Sequence, residues 1–173
     1  GLEAVRVSGS KDVSIVGNEL ANNVISGSGD DVVVGLGGND RLFGKSGDDI
    51  MAGGAGDDFL NGDHGNDILT GGDGNDVLLG RRGADLFIAS GGSNVVQDFD
   101  VGEDTFQFDD LSGAQIEDAL LSFLDTGKGS NGLEVEEILG SNGYVSLTSA
   151  AGDNLILENV SVQELLGSDS LFA

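Results

Sequence analysis

A chain of 173 residues with 31 acidic and 7 basic side chains carries a formal charge of −24; it repels itself unless cations neutralise it, and it offers no basic surface for nucleic acid. The absence of cysteine excludes disulfides, thiolate metal sites and cysteine nucleophiles, and no apolar run approaches a membrane span. Twenty-two of the acids are Asp and nine are Glu, beside 31 Gly and no Pro, a bias toward oxygen-rich turns rather than solvated helices. The length suits one domain or two small ones, and a start at Gly1 rather than Met reads as a C-terminal piece of a longer protein.

In chain order, residues 1–25 read as strands and turns of a degenerate N-terminal cap. Ile15 and Val24 keep the apolar spacing of the repeats downstream, but Val13 and Asn22 stand where those copies have Asp, and Leu20 replaces a Gly. Residues 26–97 are organised by a nine-residue beat. Seven copies run without insertion from SGSGDDVVV at Ser26 to GRRGADLFI ending at Ile88. The fourth place is always Gly, the sixth is always Asp (31, 40, 49, 58, 67, 76, 85), and the eighth is always apolar (Val33, Leu42, Met51, Leu60, Leu69, Leu78, Phe87). A flexible Gly/Asp linker has no reason to keep an apolar residue at every ninth position.

The beat parses as six turn residues and three strand residues, with the eighth-place side chain inward. Two nonapeptides make one 18-residue coil, so the strands stack into two parallel sheets and the turns stack along two edges. One edge carries Asp31, Asp49, Asp67 and Asp85; the other carries Asp40, Asp58 and Asp76, and is bounded by Asn22 and Asn94. Carboxylates stacked at a strand spacing of ~4.8 Å repel without a cation between them. Ca2+ suits this place because it accepts six to eight oxygens, mixes carboxylates with carbonyls and tolerates irregular geometry, whereas Mg2+ demands a tight octahedron. The pairs give five full sites, Asp31/Asp49, Asp49/Asp67, Asp67/Asp85, Asp40/Asp58 and Asp58/Asp76, and two weaker ones, Asn22/Asp40 and Asp76/Asn94.

The outward residues of one sheet, Val32, Val34, Ile50, Ala52, Ile68, Thr70, Leu86 and Ile88, form an almost wholly apolar face, while the other sheet presents a mixed face. A bare apolar face calls for a cover. The favoured cover is residues 98–173 folding back on it; the alternative is an upstream domain or a second chain. From Asp98 the beat stops. Residues 98–173 read as a β-rich cap with short helices: a strand–turn–strand through VVQDFDVGEDTFQF, a helix capped by Ser112 and Gln115 and closed at Gly127, three strands, and a second helix with Ser161, Glu164 and Gly167 at its ends. The first helix places Ile116, Ala119, Leu120, Phe123 and Leu124 on one stripe.

Residues 17–97 resemble the hemolysin-type calcium-binding repeats of the RTX family. VVQDFDVGEDTFQFDDLSG is similar to the segment after the roll in serralysin-type proteases and alginate epimerase R-modules, and Asp169 to Ala173 resembles an uncleaved type I secretion signal. The resemblance implies an all-β, right-handed parallel β-roll in a protein secreted to the extracellular space by a Gram-negative bacterium. It further implies a ligand scheme in which one turn gives its second- and fourth-place carbonyls and its Asp, and the partner turn its first- and third-place carbonyls and its Asp. The first site then uses Gly27, Gly29, Gly44 and Ser46 with Asp31 and Asp49. Asp40/Asp58 takes Leu36, Gly38, Gly53 and Ala55; Asp49/Asp67 takes Lys45, Gly47, Gly62 and His64. Asp58/Asp76 takes Gly54, Gly56, Gly71 and Asp73; Asp67/Asp85 takes Asp63, Gly65, Gly80 and Arg82; the Asn94 pair adds Gly72 and Gly74. Leu36, Lys45, Asp63 and Arg81 depart from the Gly the family prefers at the second place, where a backbone carbonyl still serves.

Catalytic chemistry has little footing. His64 is a single turn residue expected at the surface, no Ser or Cys triad can be assembled, and no zinc-protease helix motif is present. The carboxylate pairs that could suggest glycoside hydrolysis are committed to calcium. The expectation is a calcium-binding module, not itself an enzyme, that folds on Ca2+ outside the cell and supports an upstream domain that acts as a protease, lipase or polysaccharide-modifying enzyme. Its expected partners are that domain and the type I secretion apparatus. The alternative is an extracellular binding module for polysaccharide, cell surface or a second copy, weakened by one Tyr and no Trp.

Overall fold

The computed structural model describes residues 3–108, 111–138 and 143–167. Fifteen strands and two helices follow one another as β1 (Ala4–Arg6), β2 (Ser14–Asn18), β3 (Asn23–Ser28), β4 (Val32–Gly37), β5 (Arg41–Ser46), β6 (Ile50–Ala55), β7 (Phe59–His64), β8 (Ile68–Asp73), β9 (Asn75–Arg82), β10 (Leu86–Ala89), β11 (Ser93–Val96), β12 (Thr105–Phe108), α1 (Gly113–Thr126), β13 (Glu134–Ile138), β14 (Tyr144–Thr148), β15 (Asn154–Glu158) and α2 (Val162–Leu166). Odd and even strands separate. β1, β3, β5, β7, β9 and β11 lie side by side in one parallel sheet and β2 to β12 in the other, a parallel β-roll.

The 18-residue coil is explicit in the register: Val33 pairs with Met51, Met51 with Leu69, Leu42 with Leu60 and Leu60 with Leu78. The eighth-place side chains fill the space between the sheets, with Leu42, Leu60, Leu69 and Leu78 fully buried. Most roll strands are longer than the three residues expected. They continue through the first three places of the next repeat, because that stretch is itself extended and in register with the coil below, as Leu36 is with Gly54.

At two points the period slips by one residue. Ala4 pairs with Asn23, and Leu86 with Thr105. The second slip carries the roll past Asp98. The stretch from Asp98 to Gln107 is a further turn and strand of the roll with one residue inserted, and Phe106 stacks on Phe87 at the inward place. Phe87, Phe99, Phe106 and Phe108 form a chain of rings with centroids 5.9 to 6.3 Å apart that closes this end of the core.

The odd sheet is continued by residues from much further along. Ser93 to Val96 pair in parallel with Asn154 to Leu157, and β14 and β13 add antiparallel strands beyond them. α1 packs on α2 and β13. Both helix starts match the capping residues: the Ser112 N–H donates to Gln115 Oε1 at 3.0 Å and the Ser161 N–H to Glu164 Oε2 at 2.8 Å. Gly127 ends α1 at φ 71°. Ile116, Ala119 and Leu120 are buried as the stripe requires, but Leu124 is 47 % exposed, because the helix's neighbours stop short of its last turn.

The described residues of the C-terminal segment do not fold back over the apolar face. They extend the sheet end on, as backbone edge groups demand partners. Val32 remains 38 % and Ile50 48 % exposed, and none of the eight outward residues of that face is buried. The C-terminal stretch that resembles a secretion signal, Asp169 to Ala173, lies outside the described residues.

Candidate metal centre

Each sixth-place Asp is buried at a turn edge, between 0 and 3 % exposed. Its Oδ1 accepts the backbone N–H of the residue one coil upstream. Asp31 N–H donates to Asp49, Asp49 to Asp67 and Asp67 to Asp85, each at 2.8 Å. On the other edge Asp40 N–H donates to Asp58 at 2.7 Å and Asp58 to Asp76 at 2.9 Å. The second oxygen is different in kind. Oδ2 of Asp31, Asp40, Asp49, Asp58, Asp67, Asp76 and Asp85 is buried and accepts no hydrogen bond, and the same holds for Asn94 Oδ1.

The first-place glycines explain how Oδ2 fits. A Cβ built on Gly35, Gly44, Gly53, Gly62, Gly71 or Gly80 would run into the Oδ2 of the Asp five residues on. It would also meet the carbonyl of Gly53, Gly62 or Gly71 when built on Gly35, Gly44 or Gly53, so carbonyl oxygens lie beside the unpartnered carboxylate oxygens. Among the described residues no three Asp, Glu or His side chains converge on a point, so a cation held here draws on backbone oxygens as well. That donor set, all hard oxygens with two carboxylates, fits Ca2+.

The other expected ligands are distributed by their place in the repeat. The fourth-place Gly47, Gly56, Gly65, Gly74 and Gly83 each lie against the carbonyl of the fourth-place glycine 18 residues before. The third-place carbonyls of Ser46, His64, Asp73 and Arg82 accept N–H groups from Gly29, Gly47, Gly56 and Gly65 at 2.8 to 3.0 Å, which leaves each a second lone pair. Ala55 stands at the third place, in register with Gly37, and Gly27 at the second, in register with Lys45. The Gly44 carbonyl also accepts the Ser26 hydroxyl at 2.8 Å, so the Asp31/Asp49 pair shares one of its oxygens. Asn22 uses its Oδ1 to accept the Asn18 N–H at 3.0 Å. His64 is exposed, as expected, beside Asp63.

The second-place residues that are not Gly are held at positive φ: Leu36 at 84°, Lys45 at 87°, Asp63 at 83° and Arg81 at 78°. Such a conformation costs on the order of 1 kcal/mol or more for a residue with a Cβ. Lys45, Asp63 and Arg81 are neighbours across β5, β7 and β9, and Lys45 Nζ lies 2.9 Å from Asp63. Burial pushes the Asp63 carboxyl up, but Lys45 and His64 outweigh it and hold it below its ordinary value.

A second ladder is not evident from the nine-residue period alone. The fifth-place side chains point the other way along the roll. Asp30 accepts the N–H of Asp48, Asp48 that of Asn66 and Asn66 that of Ala84, while Asn39 accepts that of Asp57 and Asp57 that of Asn75. The sequence does carry a signal for it: six of seven copies have Asp or Asn there, and Ala84 ends it. Asp104 is a further residue that the spacing misses. It is 3 % exposed and accepts the Asp85 N–H at 3.0 Å, one residue out of period.

Electrostatics favour a bound cation. Burial pushes the carboxyls of Asp49, Asp58, Asp76, Asp85 and Asp104 up to about 6 and that of Asp67 up to about 7, with repulsion from the neighbouring ladder Asp adding to it. Asp40 is raised too, again by burial. Two unit charges ~5 Å apart repel by roughly 3 kcal/mol at an effective dielectric of ~20. Several such pairs in one small roll rival the ~5–15 kcal/mol that stabilises a whole domain.

The sequence pattern of the RTX calcium-binding nonapeptide repeat (4 copies) matches residues 16–51, 43–78 and 61–96. The roll is an RTX calcium-binding repeat array. A solution structure of the AlgE6R3 subunit from the Azotobacter vinelandii mannuronan C5-epimerase is similar at 21 % identity, with a TM-score of 0.29, over 100 % of this chain and 89 % of that one. At that score the likeness has no bearing on where any residue sits. No curated protein matches the chain. Among the described residues no helix is long and apolar enough to cross a membrane.

Proposed function

We propose that the RTX roll is the calcium-responsive module of a larger secreted protein, and that its ions sit between the paired carboxylates Asp31/Asp49, Asp49/Asp67, Asp67/Asp85, Asp40/Asp58 and Asp58/Asp76, with Asn22/Asp40 and Asp76/Asn94 as weaker places. The observation that carries this reading is the set of seven buried Asp Oδ2 atoms without a hydrogen bond. Burying a carboxylate without a partner is costly enough that the group neutralises or finds a counter-ion. Where calcium is scarce the stacked Asp keep the roll unfolded and the chain exportable; outside the cell calcium fills the sites and binding energy becomes folding energy. The folded roll then supports an upstream domain after type I export from a Gram-negative cell. Circular dichroism at neutral pH, with EDTA and then with excess calcium, tests this directly. The expected result is a large gain of strand signal with calcium over the small signal that β13 to β15 keep in EDTA, and a roll fully folded in EDTA would overturn the reading.

The uncovered face of Val32, Ile50 and their neighbours favours a second reading, an extracellular binding or adhesion module. Binding on a glycan array, or calcium-dependent self-association in size-exclusion chromatography that a charge at Ile50 abolishes, distinguishes it.

A further inference from the structure

We propose that Asp85 and Asp104 hold one more divalent-cation site, at the C-terminal end of the edge that carries Asp31, Asp49 and Asp67. The inference rests on the calcium reading of the ladder and extends it past the point where the nine-residue period ends.

The stretch Asp98 to Gln107 has no recognisable nonapeptide, yet its backbone continues the coil. Thr105 N–H donates to the Asp85 carbonyl at 2.8 Å, just as Ile50 does to Asp31, Ile68 to Asp49 and Leu86 to Asp67, each at 2.8 Å. The spacing of this coil from the one before is therefore that of the cation-binding coils. Asp104 stands at the ladder position, buried, with its Oδ1 taking the Asp85 N–H as every other downstream ladder Asp takes its neighbour's. The inserted residue falls in the turn, upstream of Asp104, so it lengthens the loop without moving the carboxylate off the edge.

The independent sign of a ligand is Asp85. It is only 1 % exposed, its Oδ1 accepts the Asp67 N–H, and its Oδ2 accepts nothing. Oδ2 lies against Gly80, whose own N–H donates to Asp98 Oδ1 at 3.1 Å. Asp98 also accepts the Arg81 N–H at 3.2 Å and has the Arg81 Nε 3.8 Å away, and its charge adds to the repulsion felt by Asp85. Asp104 Oδ2 accepts the Asp100 N–H at 2.8 Å. A carboxylate oxygen has a second lone pair, so this contact orients Asp104 and leaves it able to ligate. With two carboxylates and an irregular loop, the site calls for a hard, large divalent ion such as Ca2+.

The test counts ions on the whole chain by native mass spectrometry at a calcium level that just saturates the wild type, with folding followed by circular dichroism. D104N should bind one ion fewer than the wild type, and D40N, whose carboxylate stands in both the Asn22/Asp40 and the Asp40/Asp58 pair on the opposite edge, should bind at least one fewer. A folded D104N with the wild-type count, beside a D40N that has lost an ion, overturns the terminal site and leaves the ladder standing. Wild-type counts in both variants overturn the ladder reading itself. Should D104N fail to fold, D104E decides. A folded D104E with the wild-type count supports the site, and an unfolded D104E overturns it by showing that Asp104 acts through shape alone.

Discussion

Between Asn22 and Phe108 the chain gives each 18-residue coil two inward apolar side chains and two buried carboxylates or amides at the edges. Between Leu111 and Leu166 the interior is made of Ile116, Ala119, Leu120, Leu133, Val145, Leu147, Leu155, Leu157, Val162 and Leu165, and none of the described Asp or Glu side chains there is buried. The roll's apolar core is a thin double file beside stacked charges, which is the basis of its proposed dependence on an ion. The C-terminal unit is held by ordinary apolar burial. Their backbones join where β11 meets β15, with the Gly91 N–H donating to Asp153 beside that seam.

Removing calcium is the largest perturbation of that contrast. In EDTA near neutral pH, amide exchange across Val24 to Phe87 should lose its protection entirely, while Val145 to Leu157 keeps a measurable part of its own. Simultaneous loss in both stretches would show that they fold as one unit. Core truncation comes next: Leu60→Ala and Leu155→Ala should each cost ~2–5 kcal/mol in calcium. Only the Leu155 variant should still lose stability when the same melt is run in EDTA. Equal losses in EDTA would erase the distinction.

Acidity should act on the roll alone. In the fold, burial holds the carboxyls of Asp49, Asp58, Asp76 and Asp85 at about 6 and that of Asp67 at about 7, above the ordinary 3.8. Groups raised in this way favour the calcium-free fold below 3.8, and that contribution disappears as pH rises through about 6 to 7. Calcium-free chain should therefore gain strand signal as pH falls from about 7.5 to about 4.5, with no change in the helical signal of α1; a flat profile would refute the assignment. The smallest effect is local: Leu36, exposed and held at φ 84°, relaxes when replaced by Gly. Leu36→Gly should raise the calcium-loaded melting point by the equivalent of up to ~1 kcal/mol, whereas Gly127→Leu, also at positive φ, should lower that of the C-terminal unit.

Much of the roll is legible in the sequence because its contacts repeat at a fixed interval. Gly at place four, Asp at place six and an apolar residue at place eight locate every coil between Ser26 and Ile88 and both ladder edges. The same reliance on period hides what lies one residue outside it. Asp104 reaches its position only after the slip that pairs Leu86 with Thr105, and no spacing rule announces an insertion inside DFDVGEDT. The β11 to β15 pairing joins residues 61 apart through an intervening helix, a contact that local pattern cannot specify. The apolar face is apolar as its residues indicate, but the described residues of the C-terminal segment do not cover it. Hydrophobicity says that a surface favours burial, while the unpaired edge of β11 decides where the C-terminal strands go.

The fifth-place side chains bond downstream and the sixth-place Asp bond upstream, so each turn is tied to both neighbours by the same two contacts wherever it stands. Such a lattice has translational symmetry in steps of 18 residues and works as a ruler. Excising residues 44–61 would bring Phe43 onto Gly62 with every edge, sheet and inward position kept in phase, and the shortened chain should refold with calcium. Excising residues 44–52 would exchange the two edges for everything downstream, so that Asn22 and Asn94 would no longer lie on the same edge. The length of the molecule is thus free to change in whole coils, while a change by half a coil turns one end against the other.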